Sequence, residues 1–418
     1  MNGEIITIGD ELTSGRTLDL NSWYAAGRLI ALGLRVTRIT SVGDDYEMVS
    51  EALTKAIDAS RLVIITGGLG CTDDDITNEI VAKALKRPLS LNKPMFEQIK
   101  SHAEARQIDL TPSIEKMAWI PEGSIMLNPE GTSCGFSLIE KDTRLYFLPG
   151  VPDQMRHLMD KYVLPEILSL YKTLPIMKQR ILKLYGLDEP SIAEILKELK
   201  GKTGGIIFGF YPHFPENHIT ISLWGKDDPG FTKELGRVEK EIRNLIGPYI
   251  FATDNQTMEE VVGQMLMVKN LTLSVAESCT GGLIGHKLTN VPGSSKYFCG
   301  GAIVYSNQSK VDLLHVSPET LENHGAVSDK TVREMASGIR KHINTDLGLA
   351  VTGIAGPDGG TNEKPVGTVH VGLAAGDNIF SGKYRFSGNR EQVKLNSAMM
   401  ALDSVRRYIN GDPFLPGI

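Results

Sequence analysis

From residue 3 to about 171, short β-branched runs alternate with amphipathic helical segments, the pattern made when helices cover a mostly parallel sheet. Runs at 4–8, 35–42, 62–66 and 144–148 predict strands; segments at 21–32, 46–59 and 75–85 and the stretch after Pro152 predict helices. Residues 172–253 read differently. Apolar runs at 179–185, 206–210 and 219–223, with helical segments at 191–200 and 231–246, predict a small α+β, KH-like module. Beyond 254 the α/β pattern returns, with helices expected at 258–268, 331–342 and 390–408 and strands at 271–276, 302–305, 347–352 and 368–374. The expected architecture is α/β in three domains, 1–171, 172–253 and 254–418, with no internal repeat relating the first to the last.

In the middle module, Gly201-Lys202-Thr203-Gly204 has the glycines of the clamp loop of an RNA-binding KH domain. The strand-like Ile206-Ile207-Phe208 follows where that motif requires a second helix, and opposing charges nearly balance, so the segment reads as a connecting turn. A net charge of −6 argues likewise against any broad nucleic-acid or membrane-binding face. The four cysteines, Cys71, Cys134, Cys279 and Cys299, lack metal-ligand spacing and are too sparse for a disulfide framework. With the strand-like Ile5-Ile6-Thr7-Ile8 where a signal peptide would stand, and no apolar stretch of membrane-spanning length, the expected location is the cytoplasm.

Candidate chemistry concentrates at strand ends. The run 271–276 feeds Glu277-Ser278-Cys279-Thr280-Gly281-Gly282, which sets hydroxyls and backbone N–H groups at the start of a helix, where an anion or developing oxyanion is stabilised. A second cluster, Gly300-Gly301-Ala302-Ile303-Val304-Tyr305-Ser306-Asn307, is followed by Lys310, so a phenol and a lysine could face the same way. Ser with a Lys or Tyr base is a known form of hydroxyl nucleophile. A third loop, Thr352-Gly353-Ile354-Ala355-Gly356-Pro357-Asp358-Gly359-Gly360, adds small residues, and Lys364 and Arg390 offer cations for a substrate phosphate. Between Ser278 and Cys279 these residues leave the nucleophile open. His286, His315, His324, His342 and His370 are scattered and read as surface or core residues.

Ala276 through Gly282, Pro292-Gly293-Ser294-Ser295, Gly301 through Asn307 with Lys310, Gly325-Ala326-Val327-Ser328, Thr352 through Gly360 and Lys364-Pro365-Val366-Gly367-Thr368 together resemble the C-terminal domain of the CinA family. That resemblance implies a nicotinamide mononucleotide amidohydrolase that needs no cofactor. On matching positions it implies Ser278 as nucleophile, Lys310 and Tyr305 as base or proton relay, and Thr280, Thr352 and Arg390 as substrate-positioning groups. Glu277, Gly281, Gly282, Gly301 and Gly353 complete the expected substrate-binding set.

The first domain has loops of the same kind: Gly9-Asp10-Glu11, Asp19-Leu20-Asn21, Gly43-Asp44-Asp45, Thr66-Gly67-Gly68-Leu69-Gly70-Cys71-Thr72-Asp73-Asp74-Asp75 and Pro149-Gly150. Glycines bring N–H groups close to a phosphate, and carboxylates hold a hard divalent ion that bridges its oxygens, so a metal-assisted phosphate site is expected. These loops resemble the MoaB/MogA-like domain that opens CinA proteins, which implies ADP-ribose pyrophosphatase activity giving AMP and ribose 5-phosphate. Gly9, Asp10, Glu11, Asn21, Gly67, Gly68, Gly70, Thr72 and Gly150 are then the nucleotide-binding set, and Asp44, Asp73 and Asp74 the ligands of Mg²⁺ or a transition metal. Cys71 stands where the family usually has Pro, Leu20 where it has Thr, and Ser133-Cys134 where it has Ala-Pro, departures that bear on turnover in this domain. Resemblance also implies a homodimer. Nucleotide or molybdopterin binding without turnover, and an accessory role in DNA uptake through protein contacts, are the other readings.

Overall fold

In the computed structural model, which describes residues 2–128, 135–171, 175–200, 203, 205–225 and 229–415, the strand Leu62–Thr66 is buried at every position. It lies inside a six-stranded sheet ordered Arg35–Val42, Asn2–Ile8, Leu62–Thr66, Thr143–Leu148, Phe136–Glu140, Ile125–Met126. The first four strands are parallel; the last two are added antiparallel. A sheet covered on both faces needs apolar side chains at successive positions, which is why its central strands are unbroken apolar runs. Ile6, Val63 and Ile65 face a core shared with Val49, Leu53, Ile80 and Met95. Ile5, Leu62 and Ile64 face the opposite core with Ala25, Leu29, Met155 and Leu158. Alternation is visible only at the edge, in the largely exposed Arg35–Val42. Not anticipated from the pattern were Phe136–Glu140, the short antiparallel pair Leu89–Leu91 with Trp119–Pro121, and the helix Lys93–Ala105.

One compact unit extends to Lys178, and a second takes in Gln179–Leu223 and the residues from Gly230 on. The middle module's sheet runs Ile207–His213, Glu216–Gly225, Ile176–Leu184, Ile250–Thr253, with Pro229–Ile246 contributing Val238, Ile242 and Ile246 to its core. Of the loop Gly201-Lys202-Thr203-Gly204 only Thr203 is among the described residues. Tyr185 of this module is buried in the C-terminal core and its hydroxyl donates to the Asn396 carbonyl at 3.0 Å. Arg406 and Arg407, paired with the fully buried Asp403, both donate to the Pro248 carbonyl.

The C-terminal sheet is ordered Phe298–Ile303, Leu273–Glu277, Leu347–Gly353, Thr368–Ala375, Asn378–Arg385, the first three parallel and the last two antiparallel. One face packs on helices Met258–Lys269, Leu283–Thr289 and Arg390–Asn410, the other on Asn307–Leu314 and Asp329–Ile343. No helix among the described residues is long and apolar enough to cross a membrane.

Candidate functional site

Leu273–Glu277 is flanked on both sides, by Phe298–Ile303 and by Leu347–Gly353, and the chain leaves it first towards one neighbour and later returns on the other. Such a switch of direction opens a crevice at the carboxyl ends of the strands, where ligands of α/β sheets bind. Ser278 stands there. Its N–H donates to the Val351 carbonyl at 3.0 Å, prolonging the sheet by one residue, and its side chain is 7 % exposed. The turn that follows needs glycine, because Gly281 and Gly282 have φ of +64° and +98°.

Lys310 is placed by the helix Asn307–Leu314, whose start is fixed by the Ser306 hydroxyl accepting from Ser309 N–H. A residue in the first turn points back towards the N-terminus. Lys310 Nζ accordingly donates to Ser278 Oγ at 3.2 Å and to the carbonyls of Val304 at 2.7 Å and Tyr305 at 3.3 Å, while the residue is only 1 % exposed. Burial holds its pKa below the ordinary lysine value, against a smaller opposite effect of Cys279. A neutral Lys310 keeps two N–H donors for the carbonyls and turns its lone pair on the Ser278 hydroxyl.

The remaining expected residues divide. Tyr305 is not on Ser278: the strand ends at Ile303, Val304 turns inward, and Tyr305 is 62 % exposed with its hydroxyl accepting from Arg390 Nη2 at 3.0 Å. Arg390 also donates to the Gly356 carbonyl at 2.6 Å, tying two loops of the site together. Glu277, expected to bind substrate, spends its buried carboxylate on the N–H groups of Gly282, Ile284 and Gly285, at 3.0, 3.1 and 2.8 Å. Those N–H groups are therefore not free for an oxyanion, contrary to the expectation from the helix start. The N–H groups of Cys279 and Thr280 donate to no other residue among the described ones, that of Cys279 meeting only its own thiol, and Thr280 Oγ1 is fully buried and unpartnered. Thr352 donates to the Ala326 carbonyl at 2.8 Å and so anchors the neighbouring loop. Gly301 and Gly353 serve packing: a Cβ on Gly301 would stand 2.5 Å from Val275 Cγ2, and one on Gly353 3.1 Å from Cys279 Sγ. The Cys279 thiol is buried, which pushes its pKa up to about 12 and keeps it protonated. His370, in register with Thr352, is buried with its pKa lowered to about 4 by desolvation, and is neutral. Lys394, one helical turn beyond Arg390, has its Nζ beside Gly281; the i, i+4 spacing on an expected helix was the signal for it.

In the first domain a cavity of about 450 Å³ is lined by Gly9, Glu11, Asp44, Gly67, Gly68, Gly70, Asp74, Asp75 and Gly150, among others. Gly67, at φ +110°, lies where a Cβ would stand 2.0 Å from the Ile8 carbonyl oxygen. Asp10 and Asp44 exchange hydrogen bonds, each carboxylate accepting the other's N–H, at 2.9 and 3.1 Å. Asn21 donates to Thr66 Oγ1 and the Gly150 carbonyl. Thr72 donates to Asp75, and neither Thr72 nor Asp73 lines the cavity. Burial raises the Asp44 pKa, and the charges of Asp10, Glu11 and Asp74 push the same way against the Asp10 N–H. No three His, Cys, Asp or Glu side chains among the described residues are grouped to hold a metal ion by themselves. Asp44 and Asp74 both line the cavity, Asp74 with its pKa lowered by a hydrogen bond from Thr72, and they suit Mg²⁺, which commonly takes one or two carboxylates and completes its shell with substrate phosphates and water. Cys71 is exposed, and Ser133 and Cys134 lie outside the described residues.

Three family models match the chain: "Probable molybdopterin binding domain" over residues 4–169, "Damage-inducible protein CinA KH domain" over 179–252, and "CinA C-terminal domain" over 255–409. A CinA-like protein of Desulfotalea psychrophila is 40 % identical over 415 residues, covering 99 % of this chain and 100 % of that protein. A protein of Thermoanaerobacter pseudethanolicus, described as competence-damage inducible, is 42 % identical over 417 residues, covering 98 % and 99 %. A solved competence/damage inducible protein of Agrobacterium tumefaciens is 37 % identical over 37 % of this chain and 97 % of its own, with a TM-score of 0.35.

Proposed function

The chain belongs to the CinA family, and on that footing we propose that its C-terminal domain hydrolyses the carboxamide of nicotinamide mononucleotide to the carboxylate, releasing ammonia. The observation that carries the proposal is the buried contact of Lys310 Nζ with Ser278 Oγ at 3.2 Å, on a lysine whose pKa burial has lowered. Neutral Lys310 takes the Ser278 proton as Oγ attacks the carboxamide carbon. The oxyanion is held by the N–H groups of Cys279 and Thr280, which donate to no other residue among the described ones. The Lys310 ammonium then protonates the departing nitrogen, ammonia leaves, and an ester on Ser278 remains. Water, giving its proton to Lys310, hydrolyses that ester to the carboxylate and restores the serine. Ammonia release from nicotinamide mononucleotide, abolished in Ser278→Ala, tests this; wild-type rates in that variant would end it.

For the first domain we propose hydrolysis of ADP-ribose to AMP and ribose 5-phosphate. Support comes from the glycine-edged cavity and the crowding of Glu11, Asp44 and Asp74 about it. A divalent ion held by Asp44 and Asp74 would supply polarisation of a phosphoryl oxygen. AMP formation that Mg²⁺ restores after chelation is the expected result, and no AMP with or without ion would leave a binding domain. A homodimer is proposed with it, and light scattering at the mass of a single chain would refute that.

A further inference from the structure

We infer that Lys394, supported by Arg390, is the seat of the substrate's phosphate, and that this cation makes the C-terminal site prefer a mononucleotide to its nucleoside. The inference rests on the carboxamide hydrolysis proposed above and assigns the other end of that substrate.

Helix Arg390–Asn410 begins at the Asn389 cap, and Val393 is fully buried in the sheet-side core, which fixes the rotation of the first turns. Residues 390 and 394, four apart, then share one face. Lys394 Nζ stands 3.8 Å from the position a Cβ would occupy on Gly281, in the turn that follows Ser278. The residue is half-buried, and neither a carboxylate nor any other acceptor pairs with it among the described residues. Beside it, the Arg390 guanidinium bonds only neutral oxygens, those of Gly356 and Tyr305. Glu277 is consumed by three N–H groups, and Glu391, three residues earlier on the same helix, forms no ion pair with Lys394 among the described residues. An anion completes this set, and a carboxamide at Ser278 puts a mononucleotide's phosphate one ribose away. Lys364, the other cation that sequence offered, is engaged elsewhere, donating to the His324 carbonyl.

The test compares kcat/KM for nicotinamide mononucleotide and nicotinamide riboside in the full chain. Lys394→Met should lower the nucleotide-to-riboside ratio about 10- to 100-fold, the range of one charge-assisted hydrogen bond, through KM and not kcat. Lys394→Arg should restore most of the ratio. Calorimetric titration with inorganic phosphate gives a readout that does not need turnover: Lys394→Met should lose phosphate binding that Ser278→Ala keeps. Equal losses on both substrates, or phosphate bound alike by wild type and Lys394→Met, would overturn the assignment. A wild type that releases no ammonia from either substrate would refute the amidase reading, and the phosphate titration would still decide this one.

Discussion

Replacing Glu277 by Gln separates a carboxylate that builds the turn from one that binds substrate. One oxygen accepts from both Gly282 and Ile284, the other from Gly285 at 2.8 Å, and the side chain is 2 % exposed. Gln keeps one oxygen for the first two donors but sets an NH₂ group against the Gly285 N–H, donor facing donor. Losing a buried charge-assisted bond and leaving its partner unsatisfied costs about 2–4 kcal/mol. At roughly 2–4 °C per kcal/mol for units of 150–250 residues, the C-terminal transition should fall by about 5–15 °C. Scanning calorimetry of the full chain measures it, with the relevant transition identified as the one shifted by nicotinate mononucleotide. The turn that carries Ser278 would loosen as well, so kcat for ammonia release should drop. An unchanged transition with only KM raised would refute the capping role and return Glu277 to substrate contact.

Lys310→Met removes the base and Lys310→Arg keeps its charge at all pH, so each should cost at least about 10²-fold in kcat. In wild type, kcat/KM should rise with pH as Lys310 loses its proton, with a midpoint below the ordinary 10.5 because burial lowers it; a flat profile would refute Lys310 as base. Cys279→Ala should keep ammonia release within about threefold and cost no more than about 1.5 kcal/mol, since it removes a small buried group already protonated at neutral pH; an inactive variant would return the nucleophile to the thiol. His370, neutral when folded with its pKa lowered to about 4 by burial from the ordinary 6.5, binds a proton first in the unfolded chain. Stability should therefore fall as pH drops from 6.5 to about 4, by up to about 3 kcal/mol, and His370→Gln should flatten that stretch of an equilibrium unfolding series.

What sequence could show of this site follows the range over which each interaction acts. The turn Glu277–Gly282 and Lys310 were legible because a strand-to-helix turn and a first-turn lysine are local patterns, whereas the choice of Ser278 over Cys279 came only from the family resemblance. Tyr305 was misplaced as a relay: along Phe298–Ile303 the odd-numbered residues are the exposed ones, and the alternation runs on past the strand end, burying Val304 and leaving Tyr305 outside. Glu277 has the composition of a catalytic acid, and only the fold back of Gly282, Ile284 and Gly285 onto it shows that its charge is already used. In the first domain, Asp73 and Asp74 are indistinguishable in sequence, yet only Asp74 lines the cavity. Lys394 is the opposite case. Its spacing from Arg390 was in plain view, but a helical lysine is ordinarily a solvated one, and what marks it is the buried Val393 that turns it towards Gly281 with no acceptor to meet it. A lysine held beside the nucleophile's turn with no acceptor among the described residues is thus better evidence of an anionic ligand than any loop motif, because a ligand is what would supply the missing acceptor.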